Sequence, residues 1–197
     1  MMNIDTAHGP ILHLLFEVLA YAAGFRYFLY ERRRQPGTAL PPLDSLWICA
    51  GAIAGAALGS KLVFWTQYPD FMYAHRTDLA VLFGGKTIVG GLLGGLIGVE
   101  LTKSIRGIHR STGDTFVFPL IAGIAVGRMG CLLAGIDDNT YGNPTSLPWA
   151  VVYADGIARH PVALYEILFL LALWIFIARV QARLAVPGDA FKLFMTG

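Results

Sequence analysis

The chain has 197 residues, 55% of them hydrophobic and only 14% charged, with a formal net charge of +2. A soluble domain of this length carries about 25% charge, so the apolar content is suited to lipid rather than to an aqueous surface. The basic residues are scattered between apolar runs, which argues against a nucleic-acid footprint and for the inner leaflet of a membrane.

Stretches of about 20 predominantly apolar residues predict one all-α domain over 1–197, a polytopic membrane helix bundle with about six transmembrane segments. The first, 11–30, has no basic residue ahead of it, whereas Arg26, Arg32, Arg33 and Arg34 lie late in it or just after it. It reads as a retained anchor, not a cleaved leader. The second is 44–66. The third is interrupted at Gly84, Gly85 and Lys86, so its span proper begins near Thr87 and runs to 102, with 79–83 an interfacial or re-entrant piece. The fourth and fifth are 116–135 and 161–179. The sixth, 188–197, reads only as the first turns of a helix, because the apolar pattern is still running at Gly197; a truncated or short C-terminus is expected.

One set of turns holds Arg32–Arg34, then Lys103, Arg106 and Arg110, then Arg179 and Arg183, while the alternate set holds Arg76, Lys86 and Arg159. The positive-inside rule places the N-terminus outside, 31–43, 103–115 and 180–187 in the cytoplasm, and 67–86 and 136–160 outside. Gly51, Gly55 and Gly59 recur at every fourth position, as do Gly90, Gly94 and Gly98, with Gly91 and Gly95 beside them and Gly123–Gly127 repeating the theme. In lipid, small residues let helix backbones approach and collect dispersion contacts. Packing alone does not explain why Gly90 and Gly91 sit near the outer mouth of their helix. A ligand headgroup approaching bare backbone would.

Cys49 and Cys131 both lie in apolar runs and suit neither a disulfide framework nor a metal site. No metal, nucleotide or calcium motif occurs, so no cofactor is expected.

Ionisable residues at membrane depth cost about 2.5–3.5 kcal/mol on insertion scales and are usually functional. Here they are Glu17, Lys61, Glu100, Arg128 and Glu166. Glu100 lies one turn from Lys103 and is expected to pair with it; Lys61 is near the outer end of its helix and can snorkel. Arg128, between Gly127 and Gly130, cannot lose its charge and needs an anion. A carboxylate such as Glu17 or Glu166 would serve, and so would the phosphate of a bound lipid, which a guanidinium grips with two prongs. The outer loop closes with Arg159-His160-Pro161 and then Leu164-Tyr165-Glu166, which would set His160, Tyr165 and Glu166 around the cavity of Arg128. Trp149 and Tyr153 suit the headgroup region.

Gly127-Arg128-Met129-Gly130-Cys131, then Tyr141-Gly142-Asn143-Pro144-Thr145 and Leu147-Pro148-Trp149, then Arg159-His160-Pro161 and Leu164-Tyr165-Glu166 together resemble the signature of the prolipoprotein diacylglyceryl transferases. Gly84-Gly85 through Gly94 resembles that family's third helix, and Gly188-Asp189-Ala190-Phe191 the start of its last helices. The resemblance runs in order from about residue 44 to the end. It implies a multi-pass enzyme of the bacterial inner membrane that uses no cofactor. Its substrates would be phosphatidylglycerol and the signal peptide of a prolipoprotein, whose lipobox cysteine thiol receives the diacylglyceryl group.

It further implies catalytic roles for Arg128 and His160, and phospholipid contacts at Arg128, Lys86, Gly90, Gly91, Gly142, Tyr165 and Glu166. In three places the chain departs from the family pattern. Val89 stands where the family usually has a histidine, leaving Lys86 or His160 as the substitute base. Ile136 to Thr140 is longer and more acidic than usual, and the family's distal arginine falls on a helix beyond residue 197. A paralogue that binds or modifies another lipid is the alternative. A small transporter subunit is a third reading, although no inverted repeat is visible.

Overall fold

The computed structural model of the chain describes residues 2–4, 8–34, 40–79, 85–138 and 140–197. Their α-helices are α1 Gly9–Arg34, α2 Pro42–Gln67, α3 Pro69–Ala74, α4 Ile88–Arg106, α5 Asp114–Ala134, α6 Val162–Val180 and α7 Asp189–Thr196. Five of these, α1, α2, α4, α5 and α6, are long and apolar enough to cross a membrane. The expected all-α polytopic bundle is therefore what the chain forms. A chain in lipid must satisfy its own backbone N–H and C=O groups, and a helix does so within the segment.

The helix boundaries follow local chemistry. Pro42 and Pro69 open their helices, where a missing N–H costs nothing. Thr87 caps α4 by accepting the Gly90 N–H at 3.2 Å, as the expected start near Thr87 requires. Gly107 ends α4 at φ 67°, a left-handed conformation that glycine adopts without strain. Of the expected piece 79–83, residues 80–83 lie outside the described residues, as does Gly84. The sixth expected segment is present as α7, eight residues long.

By its internal contacts the chain falls into two compact units, Thr38–Arg110 and the combination of Met1–Gly37 with Ser111–Gly197. In the first, α2 and α4 pack antiparallel through their glycines. A Cβ on Gly55 would strike the Gly94 carbonyl, one on Gly59 the Gly90 carbonyl, and one on Gly98 the Gly51 carbonyl. The two glycine stripes read from sequence are thus the two halves of one close helix contact. Arg106 ties one end of the pair, donating to Asp44 Oδ1 from Nη2 at 2.8 Å and from Nε at 3.2 Å. Glu100 pairs with Lys103 at 2.8 Å as expected. At the other end the Thr87 N–H donates to Ser60 Oγ at 2.9 Å, and Lys61 Nζ donates to the Gly85 carbonyl at 2.7 Å.

In the second unit α1 and α5 are antiparallel, with Gly123 against the Ala20 carbonyl and Gly130 against Phe16 and His13. Val117, Ile121 and Ile177 form the fully buried centre where α6 joins them. Trp174 packs on Tyr27 and Phe118, with ring centroids 5.1 and 5.0 Å apart. Asp114, the first residue of α5, accepts the Gly188 N–H at 2.6 Å and the Phe191 N–H at 3.0 Å, and so caps α7. The segment between α5 and α6 and the N-terminal residues Met2–Asn3 together form a small sheet that the sequence reading did not anticipate. Its strands are β1 Met2–Asn3, β2 Val151–Val152 and β3 Ala158–Arg159, in the order β1-β2-β3. β1 runs parallel to β2 and β2 antiparallel to β3. The sheet is seated on the ends of α5 and α6 by Leu132, Val151, Tyr153 and Ala163, with Ile4, Ile136 and Leu164 packed against them.

The α2–α4 contact makes a sharp distinction between neighbouring glycines. Gly55→Ala and Gly94→Ala force two backbones apart and are expected to lower stability by about 1–3 kcal/mol. A Cβ on Gly91 would meet nothing nearer than 3.9 Å, so Gly91→Ala should leave stability unchanged. Thermal unfolding of the three variants in detergent checks this.

Candidate functional site

Arg128 lies near the end of α5 that carries the sheet. Gly127 and Gly130 turn toward α1, Gly127 with a Cβ space 3.7 Å from Ala20. The next residue projects about 100° further round the helix, and this carries the Arg128 side chain to α6. There its Nε forms an ion pair with Glu166 Oε2. The side chains are 17% and 38% exposed, so the charge is largely removed from solvent while its partner is not. Nη1 donates to Cys131 Sγ at 3.8 Å. Among the described residues no acceptor lies on Nη2, which leaves one edge of the fork available to an anion. Of the partners weighed from sequence, Glu166 is the carboxylate that pairs with Arg128. Glu17 instead accepts a hydrogen bond from Tyr21 at 3.0 Å, one turn along α1.

His160 lies just before Pro161, the N-cap residue of α6, and Tyr165 directly precedes Glu166 in its first turns. The Tyr165 hydroxyl lies 3.2 Å from His160 Nδ1 and accepts the Trp149 indole N–H at 2.8 Å. The loop is held to this spot by backbone pairing. The His160 N–H donates to the Asn143 carbonyl at 3.0 Å and the Thr145 N–H to the Ala158 carbonyl at 2.8 Å. Pro144 bridges Arg159. A Cβ on Gly142 would strike the His160 carbonyl and come within 2.7 Å of Val162 Cγ2, so a glycine is what allows the Tyr141–Thr145 segment to lie against His160. The Arg159 guanidinium covers the Tyr141 ring at 4.5 Å and donates to Asp155 at 2.6 Å. That hydrogen bond, assisted by the Ile157 N–H, holds the Asp155 carboxyl below its usual range.

Five of the expected site residues, Arg128, Gly142, His160, Tyr165 and Glu166, therefore fall in one unit around the junction of α5 and α6. Lys86, Gly90 and Gly91 belong to the other unit, near the start of α4. Gly90 is consumed by packing, since a Cβ there would strike the Gly59 carbonyl and approach Val63 within 2.8 Å. Gly91 has no such duty. Lys86 is exposed, and Val89 is 64% exposed. The part Trp149 plays escaped the sequence reading, which assigned it only to the headgroup belt. Its distance along the chain from Tyr165 gave no periodic signal.

The fold and this site define a multi-pass membrane protein with a half-committed arginine near the sheet-bearing end of α5. A model of the prolipoprotein diacylglyceryl transferase family matches residues 13–197, and the chain belongs to that family. It is 32% identical over 199 residues to the phosphatidylglycerol–prolipoprotein diacylglyceryl transferase of Cupriavidus pinatubonensis, covering 91% of this chain and 70% of that one. The enzyme of the same name from Nitratidesulfovibrio vulgaris is 35% identical over 193 residues, covering 91% and 71%. That from Aromatoleum aromaticum is 33% identical over 201 residues, covering 91% and 73%.

Removing one partner of a partly buried ion pair costs more than removing both, because the survivor is left without compensation. Glu166→Ala is expected to lower stability by roughly 1–3 kcal/mol, and Arg128→Ala with Glu166→Ala by less than Glu166→Ala alone. A double-mutant cycle on thermal unfolding in detergent reads the coupling.

Proposed function

We propose that this chain transfers the diacylglyceryl group of phosphatidylglycerol to the lipobox cysteine thiol of a prolipoprotein, in the bacterial inner membrane, with its N-terminus outside. The observation that carries the reading is the Arg128 guanidinium, fixed by Glu166 at Nε and, among the described residues, without an acceptor on Nη2. In the reaction the thiolate, which is the nucleophile, attacks the glyceryl carbon next to the phosphate ester. The C–S bond forms as the C–O bond breaks, a thioether results, and glycerol 1-phosphate departs with the electron pair. Arg128 meets the charge that develops on the departing phosphate, the kind of preorganised stabilisation that contributes most when water is excluded. Glu166 keeps the guanidinium oriented while it does so.

In this reading His160 receives the thiol proton. Within its own unit, Gly91 leaves the α4 backbone open to a phospholipid headgroup beside Lys86, while Gly90 packs against α2. In the other unit, Gly142 and Tyr165 stand beside His160. The signal peptide of the prolipoprotein supplies the thiol from the lipid side.

Val89 favours a second reading, a paralogue that binds phospholipid without performing the transfer. The two separate in one assay, transfer of labelled diacylglyceryl from phosphatidylglycerol to a lipobox peptide. Wild type is expected to transfer, and Arg128→Ala to lose at least about 100-fold in rate, the scale of removing one charge-stabilising donor. A folded wild type that binds phospholipid but does not transfer supports the paralogue instead.

A further inference from the structure

The Trp149–Tyr165–His160 chain does more than hold the loop in place. An indole N–H can only donate, so the Tyr165 oxygen accepts from Trp149 at 2.8 Å. The phenol then has its own hydrogen to place, and among the described residues the acceptor within reach is His160 Nδ1 at 3.2 Å. In this direction the phenol donates and His160 Nδ1 accepts. The Tyr165 residue is 38% exposed, and it is the chain neighbour of Glu166, which orients Arg128.

Resting on the transferase reading above, we propose that Tyr165 is the group that takes the proton from the substrate thiol, passing its own phenolic proton to His160 Nδ1, with Trp149 as a positioning residue. The step balances. The S–H bond breaks as an O–H bond forms at Tyr165, and the original Tyr165 O–H breaks as an N–H forms at His160 Nδ1. The thiol becomes a thiolate and the imidazole an imidazolium, with no outside reagent. The Trp149 N–H donates to the phenol oxygen throughout, so it stabilises the negative charge that the oxygen carries while one proton leaves and the other arrives.

The test is steady-state transfer from phosphatidylglycerol vesicles to a lipobox peptide, by wild type, Tyr165→Phe, His160→Gln, Trp149→Phe and the pairwise doubles, each checked for thermal stability in detergent. Proton-transfer groups contribute about 10²–10⁴-fold, so Tyr165→Phe and His160→Gln are each expected to lose kcat on that scale, with a much smaller change in KM for phosphatidylglycerol. Groups acting as one unit are not additive, so the Tyr165→Phe, His160→Gln double should be no slower than the slower single. Trp149→Phe should lose about tenfold in kcat when Tyr165 is present and nothing further when Tyr165 is already Phe. A purely structural Trp149 would lower activity in both backgrounds.

Wild-type transfer with Tyr165→Phe at full rate overturns the relay and leaves the transferase reading standing. Multiplied losses in the Tyr165→Phe, His160→Gln double also overturn it, because the two would then act independently. No transfer by folded wild type removes the transferase reading and the relay together. If Tyr165→Phe fails to fold, His160→Gln and Trp149→Phe carry the same comparison, and full kcat in His160→Gln is contrary to the proposal.

Discussion

A guanidinium on a membrane helix cannot shed its charge, and the rest of the site follows from that constraint. Lysine or glutamate at residue 128 could neutralise itself by shifting its proton affinity, but arginine cannot. The chain has to supply an anion in every state it visits. Glu166 does so at Nε, and the geometry places it on α6, one turn after the helix begins. The position of α6 against α5 is thereby tied to the charge. The aromatic packing of Trp174 on Tyr27 and Phe118 holds the same helices together toward their other ends. The arginine is compensated without being enclosed, and this is the state required of a group that is to meet a phosphate.

The small sheet is the second consequence. Loop segments at a membrane surface carry backbone groups that must be paired, and here the pairing doubles as positioning. The backbone bonds of Asn143, Thr145, Ala158 and His160 bring the Tyr141–Thr145 segment beside the start of α6. Gly142 permits the contact because any side chain would collide with the His160 carbonyl. The hydrophobic cluster under β2, centred on Val151 and Tyr153, fixes the platform to α5 and α6. Trp149, Tyr165 and His160 then meet through hydrogen bonds rather than through chance proximity.

Much of this was legible in the sequence. The spans could be placed to within a few residues because lipid imposes length and apolarity together. The glycine stripes could be recognised as packing surfaces, although not that they pack on one another, since pairing between distant segments leaves no local trace. The Glu100–Lys103 pair follows from helical spacing. The partner of Arg128 was narrowed to two carboxylates or a phosphate and no further, because choosing among them requires knowing which helix lies beside α5. The strands of two residues each are too short to show alternation, so the sheet and the role of Trp149 had no periodic signature. Gly90 and Gly91 are equivalent in sequence, and only the neighbouring α2 backbone separates them into a packing residue and an open one.

The central claim is that Arg128 offers a two-pronged grip to a lipid phosphate while Glu166 holds it. Phosphatidylglycerol affinity measured in nanodiscs for wild type and Arg128→Lys tests it most directly. Lysine keeps the charge but forfeits the fork, so the account predicts weaker binding by about tenfold, roughly 1.4 kcal/mol, for a variant of unchanged fold. Equal affinity for the two proteins would contradict the account, and would mean that the arginine serves the helix pair and not the lipid.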